Sequence, residues 1–441
     1  MTSVRPRTLS TGRGLVRALA PKKSPSEMTA YQVSRLRELV AHAGATVPYY
    51  RRLFDRAGVS PHQIRTLEDL SLLPITEKDA LRCLPDAEVI SSRFDPKRLI
   101  RRRTSGSSGT PLVVRRTWTE QSLLHLFRLR AWRSVGLRAR DRRVSVGVVR
   151  ENDSRDSKAM GRALGAAGLH RHTRVDVFLP PRELLPQLEE LRPDVLHGYP
   201  GALARVADLR RERESTSLSP RFLMTGAEVL SPQLRRRIEE GFGVPVYDFY
   251  GTHELNLVAW ECVHTGAIHT CDDALIFEVI VDGRPAAEGE RGEVVVTGLY
   301  SYAMPFIRYK LGDLVVRGRA TCRCGAPFST ILAIEGRTFE YFPLPDGRSI
   351  HAHEIGLRLA AAAGGRIRQY QLVQERTDRI LLRVVPEPSA PPAPAELHTV
   401  VRELIGEAAE LEVELVDAIL PDSSGKSPPY RSLLNQREPG D

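Results

Sequence analysis

The residues best suited to chemistry in this 441-residue chain are Thr104, Ser105, Gly106, Ser107, Ser108, Gly109 and Thr110, followed by Pro111. Glycines let a backbone approach an anion closely, and hydroxyls with free N–H groups donate to phosphate oxygens. The pattern is not a Walker loop, because Thr110 follows Gly109 where that loop needs lysine. A Ser/Gly run taken alone is more often a plain surface loop. A second group is rich in sulfur. Cys322-Arg323-Cys324-Gly325 makes a short thiolate knuckle, with Cys262, His264, His269 and Cys271 upstream. Two thiolates on a tight turn plus a distant Cys/His pair is the composition of a closed, tetrahedral structural zinc site. Free surface thiols are the alternative reading.

Elements must hold these groups in place. Strand-like runs at 144–149 and 175–178 alternate with helical ones at 119–135 and 182–191. That alternation predicts an α/β architecture with mostly parallel strands. Residues 194–200 and then 201–213 repeat strand, turn and helix. Short β runs at 275–281, 292–297 and 313–316, with turns such as Asp282-Gly283-Arg284, predict a compact antiparallel unit. Beyond Arg337, strands at 368–373 and 379–385, a helix at 395–408 and a strand at 411–419 predict a small α+β domain. Near the start, apolar spacing over 27–57 predicts one helix ended by Gly58. The expected division is a basic leader over 1–25, a large domain over 26–336 and a small mobile domain over 337–441.

Composition narrows the class. Hydrophobic residues are 41% and charged residues 27%, ordinary for a soluble globular chain. No run of about 18 apolar residues is present, so no membrane span or membrane partner is expected. The net charge of +10 would attract anions such as nucleotides, coenzyme A or an acidic carrier protein. The arginines are spread along the whole chain and no nucleic-acid module is visible, so nucleic acid is not an expected partner. Five cysteines without an export signal favour reduced thiols or metal ligands and a cytoplasmic location. A homodimer is compatible with all of this.

An ordered set of motifs then spans 36–431. It begins with Leu36-Arg37-Glu38-Leu39-Val40, Val47-Pro48-Tyr49-Tyr50 and Leu73-Pro74-Ile75-Thr76-Glu77-Lys78, ahead of the Ser/Gly loop. It continues through 194–203, Thr225-Gly226-Ala227-Glu228, Tyr250-Gly251-Thr252-His253-Glu254 and Arg308-Tyr309-Lys310-Leu311-Gly312-Asp313. Glu335-Gly336-Arg337 and Gly425-Lys426 close it. This set resembles the phenylacetate–CoA ligase branch of the adenylate-forming superfamily.

The resemblance implies a large adenylate-forming domain, with α/β sheets and a small β subdomain, and a small C-terminal α+β domain. It implies ATP-dependent activation of a carboxylic acid, aryl or arylacetic, to an acyl-AMP. Coenzyme A would then take the acyl group as a thioester. Relatives that pass the acyl group to an amine or a carrier-protein thiol supply the alternative. Thr104 to Thr110 would hold the ATP phosphates, and Glu254 a bridging Mg²⁺. Asp313 would accept from both ribose hydroxyls, Tyr250 would lie by adenine beside Gly251 and Thr252, and Arg337 would contact the nucleotide. Lys426 would be the adenylation lysine. His197, Tyr199, Gly226, Ala227 and Glu228 would line the acyl side. Cys262, His269, Cys322 and Cys324 would hold zinc, with His264 or Cys271 as substitutes. Two departures stand out: His253 replaces a small or hydroxylated residue, and Thr338-Phe339-Glu340 replaces an acidic hinge pair.

Overall fold

The computed structural model describes residues 24–104, 112–149, 171–213, 217–337, 341–422 and 425–434. Two compact units are formed, each from separate stretches of chain: 1–136 with 249–335, and 137–248 with 336–441.

In the first unit, Ser24 caps a helix over Pro25–Thr46, its Oγ accepting from the Glu27 amide at 3.2 Å. Met28, Leu36, Leu39, Val40 and Ala43 lie on the buried face. The single helix expected up to residue 57 is not what forms. Val47 is extended, and a second helix over Pro48–Ala57 runs to Gly58, which is left-handed. Pro48 is the cause, since its ring removes an amide donor and pushes Val47 out of helical space.

Further on, Ile100–Arg103 and Val113–Arg116 pair antiparallel on either side of the Ser/Gly loop. The helix Trp118–Ser134 opens on a capping box made by Thr117 and Glu120. The antiparallel array contains Ala259–Glu261, Ile268–Thr270, Leu275–Val281, Arg291–Gly298, Tyr309–Arg317 and Thr330–Arg337. Val281 pairs with Arg284 across Asp282 (φ 49°) and Gly283 (φ 78°), the backbone a two-residue hairpin requires. The strand expected from Asp313 already begins at Tyr309. Thr76 extends its edge: the Thr76 amide donates to the Arg308 carbonyl at 2.8 Å, and the Lys310 amide to the Thr76 carbonyl at 3.0 Å. Residues 73–78 are thereby laid along this strand.

In the second unit the strand order is His172–Asp176, Arg143–Gly147, Val195–Gly198, Phe222–Gly226, then Val246–Tyr250. The first four pair in parallel, as the alternating pattern predicts. Helices over Pro181–Leu191, Pro200–Glu212 and Pro232–Phe242 alternate with them. Val144, Val146, Leu196, Leu203, Val206, Leu223 and Ile238 form the core. A second core lies in the same unit. Ile367–Arg376 and Arg379–Pro386 pair antiparallel, with Tyr430–Ser432 and Glu410–Leu415 as parallel edges. Helices Ala352–Ala363 and Pro394–Ile405 cover this sheet through Ile355, Leu359, Leu397 and Val401. The fold class is therefore α/β, with an antiparallel β unit and a C-terminal α+β region. Among the described residues no helix is long and apolar enough to cross a membrane.

Gly241 lets two helices of the parallel-sheet unit approach, because a Cβ there would lie 2.5 Å from that of Ala207 and 2.9 Å from the Ala207 carbonyl oxygen. Gly241→Val is expected to destabilise the protein by about 1–3 kcal/mol through overpacking, read as a lowered denaturation midpoint. An unchanged midpoint would mean that the helices separate freely.

Candidate active site and metal centre

The neck of the Ser/Gly loop is made by Thr104 and Leu112. The Thr104 amide donates to the Leu112 carbonyl at 3.0 Å, and the Leu112 amide to Thr104 Oγ1 at 3.0 Å. Ser105, Gly106, Ser107, Ser108, Gly109 and Thr110 lie outside the described residues.

Tyr250 and Asp313, far apart in sequence, are brought together: the phenol donates to Asp313 Oδ2, and the aspartate is buried. Beyond Tyr250 the chain turns so tightly that a Cβ on Gly251 would stand 2.3 Å from the Asn256 carbonyl oxygen. Only glycine fits there. Thr252 closes the turn, its Oγ1 accepting from the Leu255 amide at 3.1 Å and its carbonyl from the Asn256 amide at 2.9 Å.

This turn carries Glu254, whose exposure is only 5%. Tyr309 donates to its Oε1 at 3.1 Å, and Lys78 Nζ stands 3.7 Å from the same oxygen. Arg116 Nη2 grips the backbone, donating to the carbonyls of His253 at 2.7 Å and Glu254 at 2.5 Å. Burial draws the Arg116 guanidinium down to about 10, against the charges of Glu120 and Glu254. Burial first, and then the Glu254 charge, holds the Tyr309 phenol far above its ordinary value, so it remains a proton donor. Sequence reading singled out Glu254 but gave no role to Lys78, Arg116 or Tyr309. Lys78 and Tyr309 stand inside motifs already noted, whereas Arg116 carries no signal that separates it from the other arginines.

In the second unit, His197 lies on Val195–Gly198 with its Nδ1 3.2 Å from Ser145 Oγ, which also lies 2.8 Å from His172 Nε2. Tyr199 precedes the helix Pro200–Glu212 at its N-cap. Thr225 Oγ1 donates to Asp248 Oδ1 at 2.6 Å, Gly226 ends its strand, and Ala227 adopts left-handed backbone at φ 68°. Glu228 is half-buried, its two oxygens accepting from the amides of Gly201 and Ser427 at 3.1 and 2.6 Å. Loss of water raises its pKa, while those two amides and the Lys426 charge pull it back. Lys426 is half-buried, and its amide donates to Asp422 Oδ1 at 3.2 Å. Arg337 is the last residue of the strand Thr330–Arg337.

The sulfur-rich residues do converge. One donor atom each from Cys262, His269, Cys322 and Cys324 lies within 4.8 Å of all the others. Ligands of a tetrahedral zinc at ordinary Zn–S length are about 3.8 Å apart, so this donor set is close to that geometry. Two opposed turns build it. One follows Ala259–Glu261, where the Gly266 amide returns to the Cys262 carbonyl at 2.9 Å; the other closes from the Gly325 amide to the Cys322 carbonyl at 3.2 Å. Cys324 Sγ lies 3.4 Å from His269 Nε2. Burial, then the charges of Arg130 and His264, pulls the His269 imidazole down to about 4, which keeps it in the neutral, ligating form. The two substitutes lie elsewhere. His264 is exposed on its turn, and the buried Cys271 thiol faces Arg130 and Asp273 at 3.7 Å.

Residues 156–303 match the AMP-binding enzyme family. The fold aligns with that of a 2-hydroxyisobutyryl-CoA ligase solved with an acyl-AMP, with a TM-score of 0.74 at 23% identity over 92% of this chain and 90% of the other. The matched family is that of the AMP-binding enzymes, and the fold is one that such a ligase shares. The phenylacetate-coenzyme A ligase of Thermus thermophilus is 30% identical over 331 residues, 71% of each chain. That of Escherichia coli is 32% identical over 310 residues, 66% of this chain and 67% of the relative. The chain belongs to the phenylacetate–CoA ligase branch of the adenylate-forming superfamily. It is an AMP-forming acid:CoA ligase, activating a carboxylic acid with ATP as an acyl-AMP and passing the acyl group to coenzyme A as a thioester.

Gly251→Ala should disrupt the turn that carries Glu254, lowering stability by about 1–3 kcal/mol and acid-dependent pyrophosphate release with it. Wild-type values for both would show that the turn yields without cost.

Proposed function

We propose that the acid is aryl or arylacetic, and that the nucleotide is held by the residues gathered around Tyr250, Asp313 and Glu254. The pairing of Tyr250 with Asp313 beside a buried Glu254 carries this reading. The named relatives support the aryl class, being phenylacetate-coenzyme A ligases. In the first half-reaction the acid carboxylate attacks the α-phosphorus and pyrophosphate leaves, so the protein must position two anions and absorb their charge. Thr104 to Thr110 would cradle the outgoing phosphates. Glu254 would hold Mg²⁺, which neutralises charge on the phosphate oxygens when bound. Asp313 accepts from the ribose hydroxyls while Tyr250 orients it and borders adenine, and Arg337 contacts the nucleotide. His197, Tyr199, Gly226 and Ala227 border the acyl group. Glu228 has both oxygens engaged by amides and is left out of that lining.

Lys426 supplies the ammonium that offsets charge between carboxylate and α-phosphate, and residues 337–441 reorient between the two half-reactions. Aryl and aliphatic acids, tested for pyrophosphate release with and without coenzyme A, examine the substrate class. Release with aryl acids, accelerated by coenzyme A, is expected; release with aliphatic acids alone would overturn the aryl assignment. Lys426→Ala should cut that release by about 100-fold or more while the protein stays folded, and a wild-type rate would remove the lysine from the mechanism.

The same proposal assigns Cys262, His269, Cys322 and Cys324 to a structural Zn²⁺, with no position left open for catalysis. Metal analysis should find zinc in the wild-type protein and in Cys271→Ser, but not in Cys322→Ser, which should also melt at lower temperature. Wild-type protein purified without chelators and found free of zinc would exclude the site.

A further inference from the structure

The loop that carries Lys426 is held from two sides within the second unit. Toward the C-terminal sheet, Gln371 Nε2 donates to the Pro428 carbonyl at 3.0 Å and the Leu372 amide to the Pro429 carbonyl at 2.8 Å. Toward the parallel sheet, Glu228 holds this loop, its Oε1 accepting from the Ser427 amide at 2.6 Å. The other oxygen accepts from Gly201 at 3.1 Å. Gly201 lies in the first turn of Pro200–Glu212, where an amide has no partner inside the helix. One carboxylate therefore satisfies two otherwise orphaned donors, one on the body of the parallel sheet and one adjacent to Lys426. Only an acceptor-only group can do this, since a carboxamide would turn an N–H₂ toward one of the two amides.

Shape reinforces the contact. Gly425, at φ 78°, is pressed so closely onto the parallel sheet that a Cβ would come within 2.6 Å of Val148 and 2.7 Å of Val177 side-chain atoms. Both valines lie just past the carboxyl ends of their strands, Arg143–Gly147 and His172–Asp176.

We infer that Glu228 is a positioning residue for Lys426, a latch that seats the lysine loop on the parallel sheet for acyl-AMP formation and not for thioester formation. The inference rests on the reading of Lys426 as the adenylation lysine. A contact joining residues 200–228 to residues 425–427 can persist in only one arrangement if 337–441 reorients. Because the latched amide adjoins Lys426, that arrangement is the adenylating one, and the latch biases the population toward it.

The test separates the half-reactions in the full-length protein. Adenylation is read by acid-dependent pyrophosphate exchange into ATP, and transfer by thioester formation from supplied acyl-AMP and coenzyme A. Glu228→Gln is expected to slow adenylation about 10- to 100-fold, the factor for losing a hydrogen bond to a charged group, and to leave transfer at the wild-type rate. Gly425→Ala, which pushes the same loop away without touching the carboxylate, should give the same split. Transfer serves as the control for folding, so equal loss in both half-reactions would overturn the latch and leave Glu228 a scaffold residue. Lys426→Ala is measured alongside. Adenylation lost there but kept in Glu228→Gln overturns the latch alone; adenylation kept in Lys426→Ala overturns the reading of the lysine and the latch with it.

Discussion

A carboxylate taken out of water costs several kcal/mol unless its surroundings replace the lost solvent, and Glu254 is such a group. Its partners come from three separate stretches of the first unit. Lys78 arrives on the segment that Thr76 stitches to the strand Tyr309–Arg317, Tyr309 begins that strand, and Arg116 ends the hairpin flanking the Ser/Gly loop. Because each partner is fixed by its own backbone pairing, Glu254 acts as a keystone: the hairpin that flanks the Ser/Gly loop, the segment around Thr76 and the antiparallel array must all be in register before its charge is satisfied. Glu120 repeats the principle nearby, one oxygen accepting from the amides of Tyr302 and Ala303 at 2.6 and 2.9 Å. The helix Trp118–Ser134 is thereby tied to the chain that leads into Tyr309.

Much of this could be read from the chain because its signals are local. Asp282-Gly283 announces its hairpin, alternating apolar runs announce the parallel sheet, and the order of short motifs points to the family. The break at Val47 was equally local, but apolar spacing on both sides of Pro48 continued in phase and hid it. The Cys/His cluster shows where spacing stops being enough. His264 and His269 are near neighbours in sequence, and only the pairing of Ile268–Thr270 with Ala259–Glu261 turns one inward and leaves the other on the exposed turn. Contacts such as Glu228 with Ser427 join residues far apart in sequence, and no periodicity encodes them.

The cluster of Cys262, His269, Cys322 and Cys324 sits in an aromatic setting that contributes to the burial of its imidazole. Trp260 and Phe328 pack on the His269 ring at 5.2 and 5.7 Å, and the Arg130 guanidinium lies over both aromatic rings at 5.2 and 4.9 Å. Burial is the larger cause of the ring's neutrality, and the half-buried Arg130 cation beside it further disfavours a second positive charge. The strands here are only three residues long, too short to be stable through their own pairing. Cross-linking by ligands at both turns would give this corner the rigidity that its hydrogen bonds cannot.

Ala227 has a different kind of significance. It sits in left-handed backbone immediately before Glu228, a conformation that costs a residue with a Cβ about 1–2 kcal/mol and that glycine adopts freely. A glycine there would relieve that strain, yet it would also let the following carboxylate wander over many more backbone states. By keeping alanine, the chain accepts a less stable ground state in exchange for a narrower one. Thermostability and the precision of the lysine loop therefore pull in opposite directions at a single methyl group.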